Sequence, residues 1–102
     1  MFNCGGENIY PGEVEKVIER MPEVMQACVV PVPDEIKGQK PVAFVVLRPD
    51  ATASEDVIKK FVLANAPAYQ HPRRVFFMRA LPLAATNKID RRQLARLAAQ
   101  DP

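Results

Sequence analysis

The sequence has no tryptophan, one histidine and two cysteines, and this scarcity excludes several kinds of site. His71 is followed by Pro72 and two arginines, with no serine, cysteine or carboxylate at a spacing typical of a metal centre or a catalytic triad. Cys4 and Cys28 form no C-x-x-C motif, and two cysteines are too few for a disulfide framework. We therefore predict no metal site, a surface position for His71, and two reduced thiols in a cytoplasmic protein.

The sequence also lacks long apolar runs and a strong net charge. Its longest apolar run, residues 42–47, is far shorter than the roughly 20 residues that span a bilayer. The 14 lysines and arginines barely outnumber the 12 acidic residues, and no basic patch is interleaved with aromatic residues. The N-terminal residues show neither the basic nor the apolar segment of a signal peptide. These features predict no membrane span and no nucleic-acid partner.

What is present fits one globular domain. The 102 residues are too few for two ordinary domains, and the composition, 48% hydrophobic and 25% charged, is typical of folded proteins. The ten prolines fall mainly at the edges of apolar segments, where they mark the ends of helices and strands. We expect a single domain over residues 1–102.

Three segments repeat apolar residues with the period of an amphipathic helix. Pro11 favours the first turn of the first helix. Thr52 and Glu55 form a T-x-x-E capping box for the second, while Asp90 and Gln93 form the same kind of box for the third. The residues predicted to face inward are Val14, Val17, Ile18 and Met21, then Val57, Ile58, Phe61 and Val62, then Leu94, Leu97 and Ala98.

Three further segments, residues 24–32, 40–47 and 75–78, are short and rich in β-branched or aromatic residues, which is typical of strands. The first two are joined by a short turn and are expected to pair antiparallel, and the second has the continuous apolar run of a strand buried on both faces. Pro31 and Pro33 indicate that the end of the first strand lies beyond the ladder or at an edge, because proline donates no ladder hydrogen bond. We predict an α+β domain with a small three-stranded sheet flanked by helices, preceded by a glycine turn or hairpin.

Lys88 stands out within the stretch LPLAATNKID. It is the only charge between Arg79 and Asp90, and Asn87 before it is a residue type that tolerates the left-handed conformation of a loop tip. A lysine ammonium group presented in this way can stabilise negative charge that develops during a reaction. A solvated loop lysine explains the composition equally well.

The glycine pair Gly5-Gly6 is a second candidate site. Glycine permits a positive φ and lets a ligand approach the backbone closely. The spacings of a phosphate-binding loop and of a dinucleotide-binding loop are both absent, so a plain turn remains open.

Arg91, Arg92 and Arg96 place three positive charges on the last helix. They predict a solvated basic face, with an anionic ligand or partner as the alternative.

Four motifs, taken in order, carry a family resemblance: GGENIYPGEVEKVI, VPVPDEIKGQKPVAFVVL, AYQHPRRVFF and LPLAATNKIDRRQL. Together they cover nearly the whole chain and resemble the C-terminal domain of the adenylate-forming enzymes, which include acyl-CoA synthetases, peptide-synthetase adenylation domains and luciferases. The resemblance implies a two-step ligase. A carboxylic acid and Mg-ATP give an acyl-adenylate and pyrophosphate, and a thiol, usually that of coenzyme A, then displaces AMP.

The resemblance also implies roles for particular residues. In this family the small C-terminal domain swings between two poses, one for each step. Lys88 is implied as the catalytic lysine of adenylate formation. Gly5, Gly6 and Glu7 are implied to line the path of the CoA thiol in the second pose, and Lys37 to lie near CoA.

Some features depart from the family pattern or lie outside this chain. Asn87 stands where the family usually has glycine before the lysine, and Gln70 follows Tyr69 where lysine is frequent. The resemblance implies that the domain alone binds no cofactor, that ATP, magnesium and CoA serve the full enzyme, and that a large N-terminal domain, absent here, is the partner. The isolated chain is expected to fold without catalysing.

An acid–CoA ligase is therefore the function that the sequence favours. Two alternatives remain open at this point: a free-standing binding or regulatory module that docks on a separate large subunit, and an adenylation subdomain of a peptide synthetase. The acid itself is not encoded here, because the resemblance places its pocket in the large domain.

Overall fold

The computed structural model describes residues 1–100 of the chain. Five strands and three α-helices follow one another, with a short 3-10 turn at Ala68–Gln70. The elements are β1 Phe2–Cys4, β2 Glu7–Ile9, α1 Pro11–Glu19, β3 Val24–Asp34, β4 Gly38–Leu47, α2 Glu55–Asn65, β5 Arg74–Phe77 and α3 Arg91–Gln100. No helix within the described residues is long and apolar enough to cross a membrane.

Strands β3 and β4 form a long antiparallel hairpin at the centre of the domain, as the sequence predicts. The carboxylate of Asp34 holds its turn, since it accepts hydrogen bonds from the backbone N–H groups of Ile36 and Lys37 at 3.2 and 2.8 Å. Strand β5 pairs with β4 in parallel. These are the three strands that the composition of the segments indicated.

The prediction of three strands is nevertheless wrong, because the N-terminal hairpin adds two more to the same sheet. Strands β1 and β2 pair antiparallel, and Cys4 of β1 pairs with Gly38 at the start of β4. The order is β2-β1-β4-β3, with β5 also paired to β4. At 3 residues each, β1 and β2 are too short for their alternation to stand out in the sequence. The α+β class and the glycine hairpin are both confirmed.

Both faces of β4 are buried, as its apolar run predicts. Ala43 and Val45 point to one face, which α1 and α2 cover. Val42, Phe44 and Val46 point to the other face, which α3 covers. Helix residues that fill these two cores are Val14, Ile18, Ile58 and Val62 on the first face, and Leu94 and Ala98 on the second.

Two residues predicted to face inward are exposed instead. Val57 has 46% and Leu97 41% of its surface exposed. Each directly precedes a buried residue, Ile58 or Ala98, and adjacent helical residues point about 100° apart around the axis. Both therefore lie beside the buried stripe rather than within it.

The free edge of β3 is capped by side chains of α1. The carboxylate of Glu15 accepts a hydrogen bond from the backbone N–H of Val29 at 2.8 Å, and that of Glu19 accepts from Ala27 at 3.0 Å. These two N–H groups point away from β4, because Ala27 and Val29 alternate with residues that face the ladder. An uncapped edge would expose these donors to pairing with another chain.

Prolines complete the protection of this edge. Pro31 and Pro33 continue the alternation of Ala27 and Val29 along β3. Proline has no N–H, so these positions offer no donor to a further strand. Of the two positions that these prolines predicted, beyond the ladder or at an edge, the structure confirms the edge, because both prolines lie within the pairing of β3 with β4.

The second helix is capped by a different residue from the one predicted. Ser54, not Thr52, precedes α2, and its hydroxyl accepts a hydrogen bond from the N–H of Val57 at 3.2 Å. Glu55 does not complete a capping box. Its carboxylate accepts from the N–H of Val75 at 2.7 Å, which ties α2 to β5 and holds the pKa of Glu55 below its usual value.

Replacing Ser54 with alanine is expected to destabilise the domain by about 1 kcal/mol, because the first turn of α2 loses its capping acceptor. Thr52→Ala is the matched control and is expected to change stability little. Urea unfolding of the 102-residue chain, followed by circular dichroism, measures both. A larger loss for Thr52→Ala than for Ser54→Ala would contradict the assignment of the cap.

Candidate functional site

Lys88 lies near the tip of a tight hairpin over residues 83–89. Leu83 and Ile89 form an antiparallel bridge at its base, and the N–H of Ala84 donates to the carbonyl of Lys88 at 2.7 Å. Asn87 closes the turn with φ of 63°, and its N–H donates to the carbonyl of Ala84 at 2.9 Å. Asn87 thus adopts the left-handed, glycine-like conformation predicted from its residue type.

The hairpin presents Lys88 to solvent. Lys88 is exposed, and within residues 1–100 no hydrogen bond or ion pair engages its ammonium group. Leu83 in the same hairpin has 59% of its surface exposed, which is high for a large apolar residue. The hairpin therefore offers an unpaired cation and an exposed apolar side chain.

Two hydrogen bonds join this hairpin firmly to α3. The N–H of Asp90 donates to the carbonyl of Pro82 at 2.8 Å. The carboxylate of Asp90 accepts from the N–H of Gln93 at 3.1 Å, which confirms Asp90 as the cap of the third helix. The backbone of Lys88 is consequently held between the base of its hairpin and the first turn of α3.

Arg91, the first residue of α3, corrects the expectation of a fully solvated basic face. Its guanidinium group donates to both carboxylate oxygens of Glu15, at 2.8 and 3.3 Å, and to the carbonyl of Val29 at 3.2 Å. The hydrogen bond that Arg91 donates to Glu15 raises the pKa of Arg91 above its usual value. Arg92 and Arg96 are exposed and match the prediction.

The remaining titratable candidates are structural. Cys4 and Cys28 are free and buried, and burial raises the pKa of the Cys28 thiol to about 11. That thiol is protonated at neutral pH and is a poor nucleophile. His71 is partly buried, and its Nδ1 lies 2.6 Å from the carbonyl of Ala68. Within residues 1–100, no group of three histidine, cysteine or acidic side chains is placed to hold a metal ion.

The glycine pair forms the two-residue turn between β1 and β2. Gly5 and Gly6 have φ of 58° and 90°, the positive values that a two-residue hairpin with the twist of the flanking strands requires. The N–H of Gly6 donates to the side chain of Asn3 at 2.9 Å, and that of Gly5 donates to the carbonyl of Lys37 at 2.9 Å. The second contact joins this turn to the β3–β4 turn.

The structure brings together Gly5 and Lys37 among the residues implied in CoA binding. A Cβ atom placed on Gly5 would lie 2.7 Å from Cδ and 3.3 Å from Nζ of Lys37, so the lysine side chain runs over the glycine. Gly6 in the same turn and Glu7 at the start of β2 are both exposed. No hydrogen bond or ion pair within the described residues links this group to Lys88, which lies on a separate hairpin.

A cationic cavity that was not predicted from the sequence reaches the β1–β2 turn through Arg73, whose guanidinium group donates to Sγ of Cys4, next to Gly5, at 3.8 Å. It has a volume of about 260 Å³ and opens between the β3–β4 hairpin and the end of α3. Its charged residues are Lys40, Arg73 and Arg74. The consecutive arginines after His71 and Pro72 were the one sign of this cavity in the sequence. Nothing in the sequence indicated that Lys40 lines the same cavity.

Comparison with known proteins places the chain in a family. The sequence profile of the AMP-binding enzyme C-terminal domain matches residues 13–88, which is most of the chain. The chain belongs to this family. The resemblance drawn from the four motifs is thereby confirmed.

Relatives in this family include named CoA ligases. The 4-chlorobenzoate–CoA ligase of Pseudomonas sp. (strain CBS-3) is 46% identical over 95 residues, covering 92% of this chain and 18% of that enzyme. The 2-succinylbenzoate–CoA ligase of Geobacillus kaustophilus (strain HTA426) is 42% identical over 93 residues, covering 91% of this chain and 19% of that enzyme.

A solved structure agrees with these relatives. The fatty acyl CoA synthetase of Mycobacterium tuberculosis superposes with a TM-score of 0.87 and 34% identity, covering 98% of this chain and 20% of that one. The chain thus spans only 18% to 20% of the length of these three relatives.

Gly5→Ala is expected to destabilise the domain by at least about 1 kcal/mol, because an L-residue with a side chain is strained at its positive φ. Gly12→Ala is the matched control. Gly12 lies in α1 with no atom within 4 Å of an added Cβ, so this change is expected to stabilise by about 0.4–1 kcal/mol. Urea unfolding measures the free energy of unfolding of both variants. Equal changes in the two would contradict the assigned conformation of Gly5.

Proposed function

We propose that this chain is the small C-terminal domain of an ATP-dependent acid–CoA ligase, which joins a carboxylic acid to coenzyme A through an acyl-adenylate. The observation that carries the proposal is the unpaired ammonium group of Lys88, presented on a rigid hairpin in a chain whose relatives are named CoA ligases. A large domain that holds ATP and the acid is the required partner.

In the first step Lys88 acts as an electrostatic catalyst. Attack of the carboxylate on the α-phosphate of ATP increases negative charge around that phosphorus while pyrophosphate leaves. An ammonium group already held in place beside these oxygens stabilises the transition state without reorganisation at the moment of reaction. The hairpin suits insertion into a cleft, because Lys88 is the only charged residue between Arg79 and Asp90.

In the second step the β1–β2 turn is the part of the domain that contacts CoA. Gly6 exposes backbone with nothing within 4 Å of the place where a Cβ would stand, so the thin pantetheine arm of CoA can pass close to it. Lys37 lies across Gly5, where its ammonium group can meet an anionic ligand. The nearby cavity lined by Arg73 and other cations suits the phosphate groups of CoA.

These two sets of residues lie on different hairpins, and this separation is what the two-step reaction needs. The Lys88 hairpin leads into α3, while Gly5 and Gly6 join β1 to β2 at the other end of the strand order from β3. One rigid domain can present them in turn to a single large-domain site by rotating as a body. Alone, the domain is expected to catalyse neither step.

Lys88→Ala in the ligase that carries this domain is expected to slow adenylate formation by roughly 10²–10³-fold, as for other preorganised charge stabilisers. Thioester formation from preformed acyl-adenylate is expected to be unchanged, because Lys88 acts only in the first step. Pyrophosphate release and CoA consumption measure the two steps separately.

Lys60→Ala is the control for this test, since Lys60 is an exposed lysine on α2 outside the candidate site. It is expected to leave both steps unchanged. Equal loss of both steps in Lys88→Ala would contradict the role proposed for Lys88.

A further inference from the structure

The ion pair between Glu15 and Arg91 joins three elements at one point. Glu15 lies in α1, its carboxylate accepts from Val29 of β3, and both its oxygens accept from Arg91 at the start of α3. Arg91 also donates to the carbonyl of Val29. A planar guanidinium group bound to both carboxylate oxygens is fixed in direction as well as in position.

This fixed point lies close to Lys88 along the chain. Only Ile89 and Asp90 separate Lys88 from Arg91, and the N–H of Asp90 donates to the carbonyl of Pro82, which directly precedes the other arm of the hairpin. A change in the direction of the first turn of α3 therefore moves the whole hairpin. The tip of the hairpin is exposed. Arg91 therefore fixes the direction of the hairpin, which the contacts within the hairpin do not fix.

The fold does not depend on Arg91 alone. The side chain of Glu15 is 11% exposed whereas that of Arg91 is 48% exposed. Without Arg91, the carboxylate of Glu15 keeps its hydrogen bond from Val29, and Leu94 and Ala98 still bury α3 against the sheet. Loss of Arg91 therefore removes the directional constraint and leaves the packing of α3 in place.

We propose that Glu15 and Arg91 are positioning residues for Lys88: their ion pair fixes the first turn of α3 to the free edge of β3 and so aims the ammonium group in adenylate formation. This inference rests on the function proposed above for Lys88. The side chains of Glu15 and Arg91 bind each other and Val29, and we assign their effect on the reaction to Lys88 alone.

The test uses the ligase that carries this domain, with both half-reactions measured. Arg91→Ala is expected to slow adenylate formation by roughly 10- to 100-fold, as expected for a displaced catalytic group, and to leave thioester formation from preformed acyl-adenylate unchanged. Arg92→Ala, the same change at the next residue of α3, is expected to alter neither step, because Arg92 is exposed and has no partner within residues 1–100.

The double variant Lys88→Ala/Arg91→Ala supplies the readout that a merely structural role would not give. If Arg91 acts through Lys88, the double variant forms adenylate no more slowly than Lys88→Ala alone. Multiplied losses in the double variant, or equal losses of both steps in Arg91→Ala, would overturn the inference.

Two further variants keep the test decisive. If Arg91→Ala lacks native circular dichroism, Arg91→Lys replaces it, since lysine keeps the charge without the two-pronged contact and is expected to slow only adenylate formation. Glu15→Gln is expected to act in the same direction. An Arg91→Lys variant as active as the unmodified ligase would overturn the inference.

The failure of this inference is distinguishable from the failure of the proposed function. If Lys88→Ala leaves adenylate formation intact, the proposed function itself is wrong. If Lys88→Ala is slow but Arg91→Ala matches Arg92→Ala, only the positioning role is wrong.

Discussion

Strands β3 and β4 carry apolar side chains on both faces, so helices must cover the sheet on both sides. Helices α1 and α2 cover the first face and α3 covers the second. This requirement places α3 on the opposite side of the sheet from the other helices. The chain that leads into α3 must then leave β5 and pass to the second face, and it is this segment that carries Lys88.

Local backbone chemistry shapes the two exposed turns in different ways. The β1–β2 turn needs two glycines with positive φ and leaves bare backbone beneath Lys37. The Lys88 hairpin needs only one left-handed residue, and Asn87 supplies it. One rigid domain thus holds a glycine turn and an unpaired cation on separate hairpins, which suits the two-step reaction proposed above.

The sequence predicted features that depend on local pattern. Periodicity located the helices, composition located the three longer strands, and residue type predicted the conformation of Asn87. Prediction from the sequence failed where a contact between residues far apart in the chain determines the partner of a side chain. Glu55 matched a capping box, but its carboxylate accepts a hydrogen bond from Val75. Arg91 was predicted to be solvated because its partner Glu15 lies 76 positions away in the sequence. Local pattern could not yield the roles proposed for Lys88 and Gly5, because the proposal assigns the groups that they meet to a separate large domain.

Hydrogen exchange on the proposed ligase tests most directly whether one domain uses a different hairpin in each of the two proposed steps. The enzyme would be compared with acyl-adenylate bound and with CoA thioester product bound. The two-hairpin arrangement predicts slower exchange at residues 84–89 in the first state and at residues 5–7 in the second, because each hairpin is covered in its own pose. Slow exchange of the same hairpin in both states would contradict it.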